Sequence, residues 1–291
     1  MSMSLIVLFV LVGTPLLLTM IALSLTRGSV ETGEEWTRVR WMWAVAVLIG
    51  GVVAWLLYGS LDLGRGAMLV PAVLGVAVVV GVGLGETVVR PQRPAGPRSA
   101  SLVARQVSDY LPRGLTAVVL ATAVLHLATL TLTTVTASPD DMGRAGRQVA
   151  AQCGTTGSAA SPYPGSYYSV PMSVVFLVIG LTTVAALMAV VRRPRGFAPD
   201  EVGDDVLRRW STTRVLAAAG AALAASHAGT AFFAGTALLR MECQRAWMEP
   251  VGWVLVASVP VALLLLGWFL GRIVTPGALP AARPQQPAGA R

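Results

Sequence analysis

The sequence predicts an all-α bundle of seven transmembrane helices, N-terminus outside and C-terminus cytoplasmic, containing a duplicated helical hairpin. Three observations predict it. Seven long apolar runs fall near residues 4–26, 41–60, 67–86, 114–136, 171–191, 214–239 and 251–274. Each can cross a hydrocarbon core, which takes about 20 apolar residues at ~1.5 Å of rise per residue. The 22 basic residues are all arginine and crowd into alternate connections. The composition is 55% hydrophobic and 12% charged, with a mean hydropathy of +0.68, unlike that of a soluble domain.

The elements follow in order. Residues Met1 to Ser4 carry no base and Arg27 follows the first run, the reverse of a secretory leader, so this run reads as a membrane anchor that stays. Trp41 and Trp43 open the second run as interfacial belt residues. The third ends in Gly81, Gly83 and Gly85, a close-packing surface, and Glu86 is placed to pair with Arg90 one turn on. Arg113 precedes the fourth run and Trp210 the sixth, while Trp247 and Trp253 bracket the entry to the seventh, where Pro260 can kink the helix. Residues 1–275 read as one transmembrane domain, and 276–291, rich in Pro, Ala, Gln and Gly, as a disordered cytoplasmic tail.

Orientation comes from the arginines. The connections 27–40, 87–113 and 192–214, with the tail from 272, hold 17 of them, against 5 in 61–66, 137–170 and 240–250. The positive-inside rule puts the first set in the cytoplasm, and the absence of lysine, which suggests a GC-rich bacterial genome, makes a bacterial plasma membrane the expected location. A formal charge of +8 would suggest nucleic acid in a soluble protein. Here the bases border apolar runs, so the lipid bilayer and not nucleic acid is the expected partner.

The third-and-fourth and fifth-and-sixth runs read as two copies of one unit. Val88-Val89-Arg90-x-x-Arg93 matches Val190-Val191-Arg192-x-x-Arg195. Ser99 or Ser101 can cap an amphipathic stretch holding Leu102, Val103, Val107, Tyr110 and Leu111, and Asp200 one holding Val202, Val206, Leu207 and Trp210. Both stretches are expected to lie along the cytoplasmic interface before the chain enters the bilayer. Arg113 precedes His126 by the same thirteen positions as Arg214 precedes His227, and Thr129 and Thr230 keep that register. Arg90, Arg113, Arg192 and Arg214 are thus the expected cytoplasmic border anchors.

His126 and His227 are the two histidines of the chain, and both fall about 20 Å into their helices at ~1.5 Å per residue. With Thr129 and Thr230 they form the candidate intramembrane polar site. The first reading is an imidazole bonded to a threonine hydroxyl or a carbonyl, which holds the bundle together. The alternatives are a substrate or proton pathway and ligation of haem or a metal ion by the two imidazoles. Cys153 and Cys243 both fall in outer connections and are expected to form one structural disulfide. The 137–170 connection, with Asp140, Asp141, Arg144, Arg147, Tyr163, Tyr167 and Tyr168, reads as a solvated cap with interfacial tyrosines, or alternatively as a binding lid.

No acidic residue lies mid-run, where ion-coupled carriers place one, and no nucleotide-binding, hydrolase or zinc motif occurs. Three functions are weighed: a non-catalytic accessory, scaffold or sensor-partner protein contacting a cytoplasmic or membrane protein; a transporter with a pathway near the histidines; and a haem-binding redox protein. The first accords best with the motifs. Absence of lysine excludes a retinal Schiff base. The segments Gly85-Glu86-Thr87-Val88-Val89-Arg90-Pro91, Arg98-Ser99-Ala100-Ser101-Leu102 and Asp109-Tyr110-Leu111-Pro112-Arg113 resemble multi-pass integral membrane proteins of actinobacteria. That resemblance implies a source and a compartment, and no activity.

Overall fold

The computed structural model describes residues 34–88, 106–195 and 201–274. They form six long helices: α1 (Glu34–Ser60), α2 (Arg65–Val88), α3 (Arg113–Thr136), α4 (Ser166–Arg192), α5 (Glu201–Leu239) and α6 (Met248–Val274). All six contain stretches long and apolar enough to cross a membrane, as a multi-pass membrane protein requires. They coincide with the second to seventh apolar runs. The first run lies outside the described residues, as do Arg90, Asp200, Ser99 and Ser101.

The helix at the centre is the least apolar one. The most apolar window of α5 has a mean hydropathy of 1.4, against 2.0 to 2.7 for the others, yet 83% of it is buried, against 17 to 33% elsewhere. In lipid, large apolar side chains gain nothing by turning inward, and small residues are favoured at the contacts because they let backbones approach. Accordingly Ala217, Ala218, Ala224, Ala231 and Ala234 of α5 are buried, while Trp55, Leu181, Val254 and Leu264 on α1, α4 and α6 face outward.

Close approach is explicit at two glycines. A Cβ on Gly75 of α2 would run into the Cβ of Ala222, and one on Gly220 of α5 would come within 2.5 Å of the Phe269 ring of α6. Helix α5 packs on α2, α3, α4 and α6, while α1 packs on α2. Pro71, Pro171 and Pro260 lie inside α2, α4 and α6 without ending them.

The expected interfacial stretch before the sixth run is instead the first turns of α5 itself. The chain from Glu201 to Leu239 is one helix of 39 residues, about 58 Å long at ~1.5 Å per residue and far longer than a ~30 Å hydrocarbon core. Its alanine-rich sequence holds no proline to break it. Before α3, the described part of the matching stretch is a short 3-10 turn, Val107–Asp109, tied to α5 by Tyr110. The Tyr110 hydroxyl donates to the Asp205 carboxylate at 3.0 Å, and the Thr212 hydroxyl donates to the Tyr110 carbonyl at 3.0 Å.

The two bundle ends are built differently. At one, which we term the hairpin end, the 137–170 connection is a cap folded around a β-hairpin, with much of its surface exposed. Strands β1 (Val149–Cys153) and β2 (Thr156–Ala160) pair antiparallel, with Cys153 opposite Thr156. The two-residue turn between them takes a positive φ of 63° at Gly154, which glycine supplies without strain. Cys153 and Cys243 form a disulfide with a Cα–Cα distance of 5.9 Å, fastening the hairpin to the α5–α6 connection.

The tyrosines of this cap are not all interfacial. Tyr163 is buried, its hydroxyl 2.6 Å from that of Thr136. Burial pushes its phenol up, partly offset by that hydroxyl. Tyr168 is also buried and donates to the Leu63 carbonyl at 3.0 Å. That bond braces the turn into α2, where Leu63 takes a φ of 55°, a left-handed conformation costing a bulky residue roughly 1–2 kcal/mol.

The opposite end, the clasp end, is fixed by charge. Arg208 of α5, fully buried, donates to the carbonyls of Val190, Val191 and Arg193 at 2.8, 3.0 and 2.9 Å. It also donates to the Asp204 carboxylate at 3.0 Å. Arg193 lies 3.8 Å from the other oxygen of that carboxylate. A helix end leaves its last carbonyls without partners and partially negative. One guanidinium of α5 supplies both the donors and the charge for the end of α4.

Candidate functional site: the intramembrane histidine pair

His126 of α3 and His227 of α5 are 2% and 1% exposed and meet inside the bundle. Their ring centroids are 6.1 Å apart with the planes at 89°, and Phe176 of α4 lies 5.9 Å from His126. Equal register on α3 and α5 therefore places the two imidazoles against each other, edge to face.

Their bonding differs. His227 Nε2 lies 3.1 Å from Ser258 Oγ of α6. The Ser258 hydroxyl also lies 2.7 Å from the Leu255 carbonyl, and when it donates there Nε2–H donates to the serine oxygen. Nδ1 of His227 is buried without a hydrogen-bond partner. Nδ1 of His126 is likewise buried and unpartnered. Beside His126 is a cavity of about 10 Å³, close to the room one water molecule needs. Met172, Phe176, Leu223 and Ser226 help to line it, and the Ser226 hydroxyl is a third buried polar atom without a partner.

Thr129 and Thr230 are both buried, but neither bonds an imidazole. The Thr129 hydroxyl donates to the Leu125 carbonyl at 3.0 Å, and that of Thr230 to the Ser226 carbonyl at 2.8 Å. Both thus turn back on their own helix, the usual course for threonine in a membrane helix with a carbonyl four residues earlier. The bond expected across helices is made by His227, with Ser258 in the place of a threonine or a backbone carbonyl.

The border anchors separate. Arg90 is outside the described residues. Arg113 opens α3 and Arg192 closes α4, both exposed. Arg214 is drawn into the bundle: only 8% exposed, it donates from Nε to the Ile273 carbonyl at 3.1 Å, and its guanidinium carbon lies 4.7 Å from the centre of the Trp43 ring. It links α5, α6 and α1 where a snorkelling border residue was expected.

Haem does not fit these residues. The cavity beside His126 has about 10 Å³, Nε2 of His227 is engaged by Ser258, and Phe176 stands against the pair. No group of three or more His, Cys, Asp or Glu that could hold a metal ion occurs among the described residues. The two imidazoles, Ser258, Ser226 and a water-sized space bring polar atoms of α3, α5 and α6 together inside the bundle.

Sequence reasoning missed Ser258, Ser226 and the clasp of Arg193, Asp204 and Arg208. Ser258 was visible as a hydroxyl inside an otherwise apolar run. Asp204 and Arg208 were visible as an i, i+4 pair of opposite charge. No protein-family model, curated protein or solved structure matches the chain.

Proposed function

We propose that this chain is a seven-span protein of a bacterial plasma membrane, N-terminus outside and C-terminus cytoplasmic, and that it acts as a non-catalytic accessory, scaffold or sensor-partner protein. The observation that carries the role is the interlocked central helix. Gly75 of α2 packs on Ala222 of α5, and Phe269 of α6 on Gly220 of α5, with no room for a further side-chain carbon, so a solute path along α5 would have to part these contacts. The strongest polar contacts of the core hold helices together: Arg208 on α4, Arg214 on α6, His227 on Ser258. The alternation of arginines supports the orientation, and the Arg–His–Thr register supports a duplicated hairpin. The exposed bases Arg192 and Arg209 at the clasp end offer a protein partner charge without helix contacts of their own to lose.

Cross-linking in native membranes followed by native electrophoresis tests the role. A complex of fixed stoichiometry, weakened when Arg192 and Arg209 are changed to Gln, is expected. A free monomer stabilised by a small solute would overturn it. In a background without native cysteines, Ser60→Cys is expected to react with an impermeant thiol reagent from outside, and Gly114→Cys only after permeabilisation.

A transporter is the second reading. It is favoured by the unpartnered Nδ1 atoms of His126 and His227 and the Ser226 hydroxyl. It requires a solute-dependent rise in melting temperature that His126→Leu abolishes.

A further inference from the structure

Two guanidinium groups converge on one tyrosine at the hairpin end. The guanidinium carbon of Arg65, the first residue of α2, lies 4.8 Å from the centre of the Tyr167 ring, and that of Arg147 lies 4.1 Å from it. The two carbons are therefore at most 8.9 Å apart, the sum of those distances. Tyr167 is the second residue of α4, so the amino-terminal ends of α2 and α4 meet here. The Tyr168 hydroxyl joins them through the Leu63 carbonyl at 3.0 Å. Gly146, at φ 71°, is pressed so closely on Ser166 and Tyr167 that a Cβ there would strike both. That contact sets Arg147 at the start of α4.

Positive charge collects here with only partial compensation. Asp140 is mostly committed elsewhere: it accepts from the backbone N–H of Met142 and Arg144 at 3.1 and 2.8 Å and from Arg144 Nε at 2.7 Å. Burial pushes its carboxyl up, but the Arg144 and Met142 bonds and the Arg144 charge outweigh this and hold it below its ordinary value. Arg147 reaches it only at 4.0 Å, and Arg65 makes no ion pair among the described residues. The Nε atoms of both Arg65 and Arg147 are buried without a hydrogen-bond partner. Like charges repel, and two helix amino termini add to the same field. Both guanidinium carbons lie within 4.8 Å of the Tyr167 ring centre, and the planar N–H fork of a guanidinium matches the geometry of a two-oxygen anion.

We propose that Arg65 and Arg147, braced on Tyr167 at the paired starts of α2 and α4, bind an oxyanion of the phosphate type. The anion replaces the missing carboxylates, and both guanidinium groups donate to its oxygens. A free inorganic oxyanion and the headgroup phosphate of an anionic lipid share this chemistry.

The full-length protein in neutral detergent, titrated with inorganic phosphate at constant ionic strength, tests the first source by calorimetry and melting temperature. Nanodiscs of phosphatidylglycerol against phosphatidylcholine test the second. Saturable binding of phosphate, or stabilisation by phosphatidylglycerol alone, is expected. Arg65→Gln and Arg147→Gln should each weaken the response at least about tenfold, as loss of a charge-assisted bond does. Arg144→Gln should weaken it less than either, because Arg144 bonds Asp140 and acts on the site only by releasing that carboxylate. Should either glutamine variant fold poorly, Asp140→Asn must tighten binding with both arginines in place. No response to either probe, or one indifferent to Arg65 and Arg147, overturns the proposal.

Discussion

His126 and His227 share a residue type and a register, but they bond differently, and their substitutions should differ accordingly. Removing His227 or Ser258 breaks an interhelical hydrogen bond, typically ~0.6 kcal/mol and up to about 1.7 kcal/mol in a membrane protein. His126→Leu removes a ring whose Nδ1 has no partner and replaces it with an apolar side chain of similar reach. Thermal unfolding in detergent is expected to show His227→Ala destabilised and His126→Leu unchanged or more stable. The larger effect belongs to Arg208. Its removal leaves Asp204 buried beside one fewer cation and uncovers the end of α4, and breaking a buried pair costs about 3–5 kcal/mol. Arg208→Ala should therefore melt far below Arg209→Ala, its exposed neighbour. The pairing of Asp204 with Arg208 could be read from their spacing. Their burial could not, because it depends on α4 ending beside them.

At the scale of elements, the helices were legible because a membrane span has to be a long apolar run, and the six described ones stand where the runs predicted. What was not legible were features that composition hides. Strands β1 and β2, Val-Ala-Ala-Gln-Cys and Thr-Gly-Ser-Ala-Ala, contain one β-branched residue each and owe their pairing to the Gly154 turn and the disulfide. The unbroken length of α5 was hidden by its polar first turns, which mimic an interfacial helix. Packing of α5 supplies a third prediction. Gly220→Leu and Gly75→Leu force side chains into Phe269 and Ala222, an overpacking that costs about 1–3 kcal/mol. Gly229→Leu, on the same helix with open space around it, should be tolerated. Unfolding midpoints of the three variants decide the matter.

Across the whole molecule, the two ends hold the bundle by different chemistry. The clasp end relies on ion pairs and carbonyl caps, and the hairpin end on a covalent bond that closes a sequence separation of 90 residues. Loop-closure reasoning assigns such a bond about 2–5 kcal/mol. Cys153→Ser with Cys243→Ser, or reduction of the native protein, should lower the melting temperature. The same reductant should leave the double variant unmoved.

The place of α5 bears on how the chain is made. A segment whose best window has a mean hydropathy of 1.4 has a weaker claim on the bilayer than its neighbours when it leaves the insertion machinery. Its alanines, serine, histidine and buried arginines are at ease only once other helices surround them. Helix α6 follows after a short connection and packs along α5, so the pair is suited to partition as one hairpin into a nest already formed by α2, α3 and α4. Insertion from the rim inward is the expected order, with the hub of the finished bundle among the last parts accepted by the membrane, and cross-linking of staged nascent chains to lipid checks it.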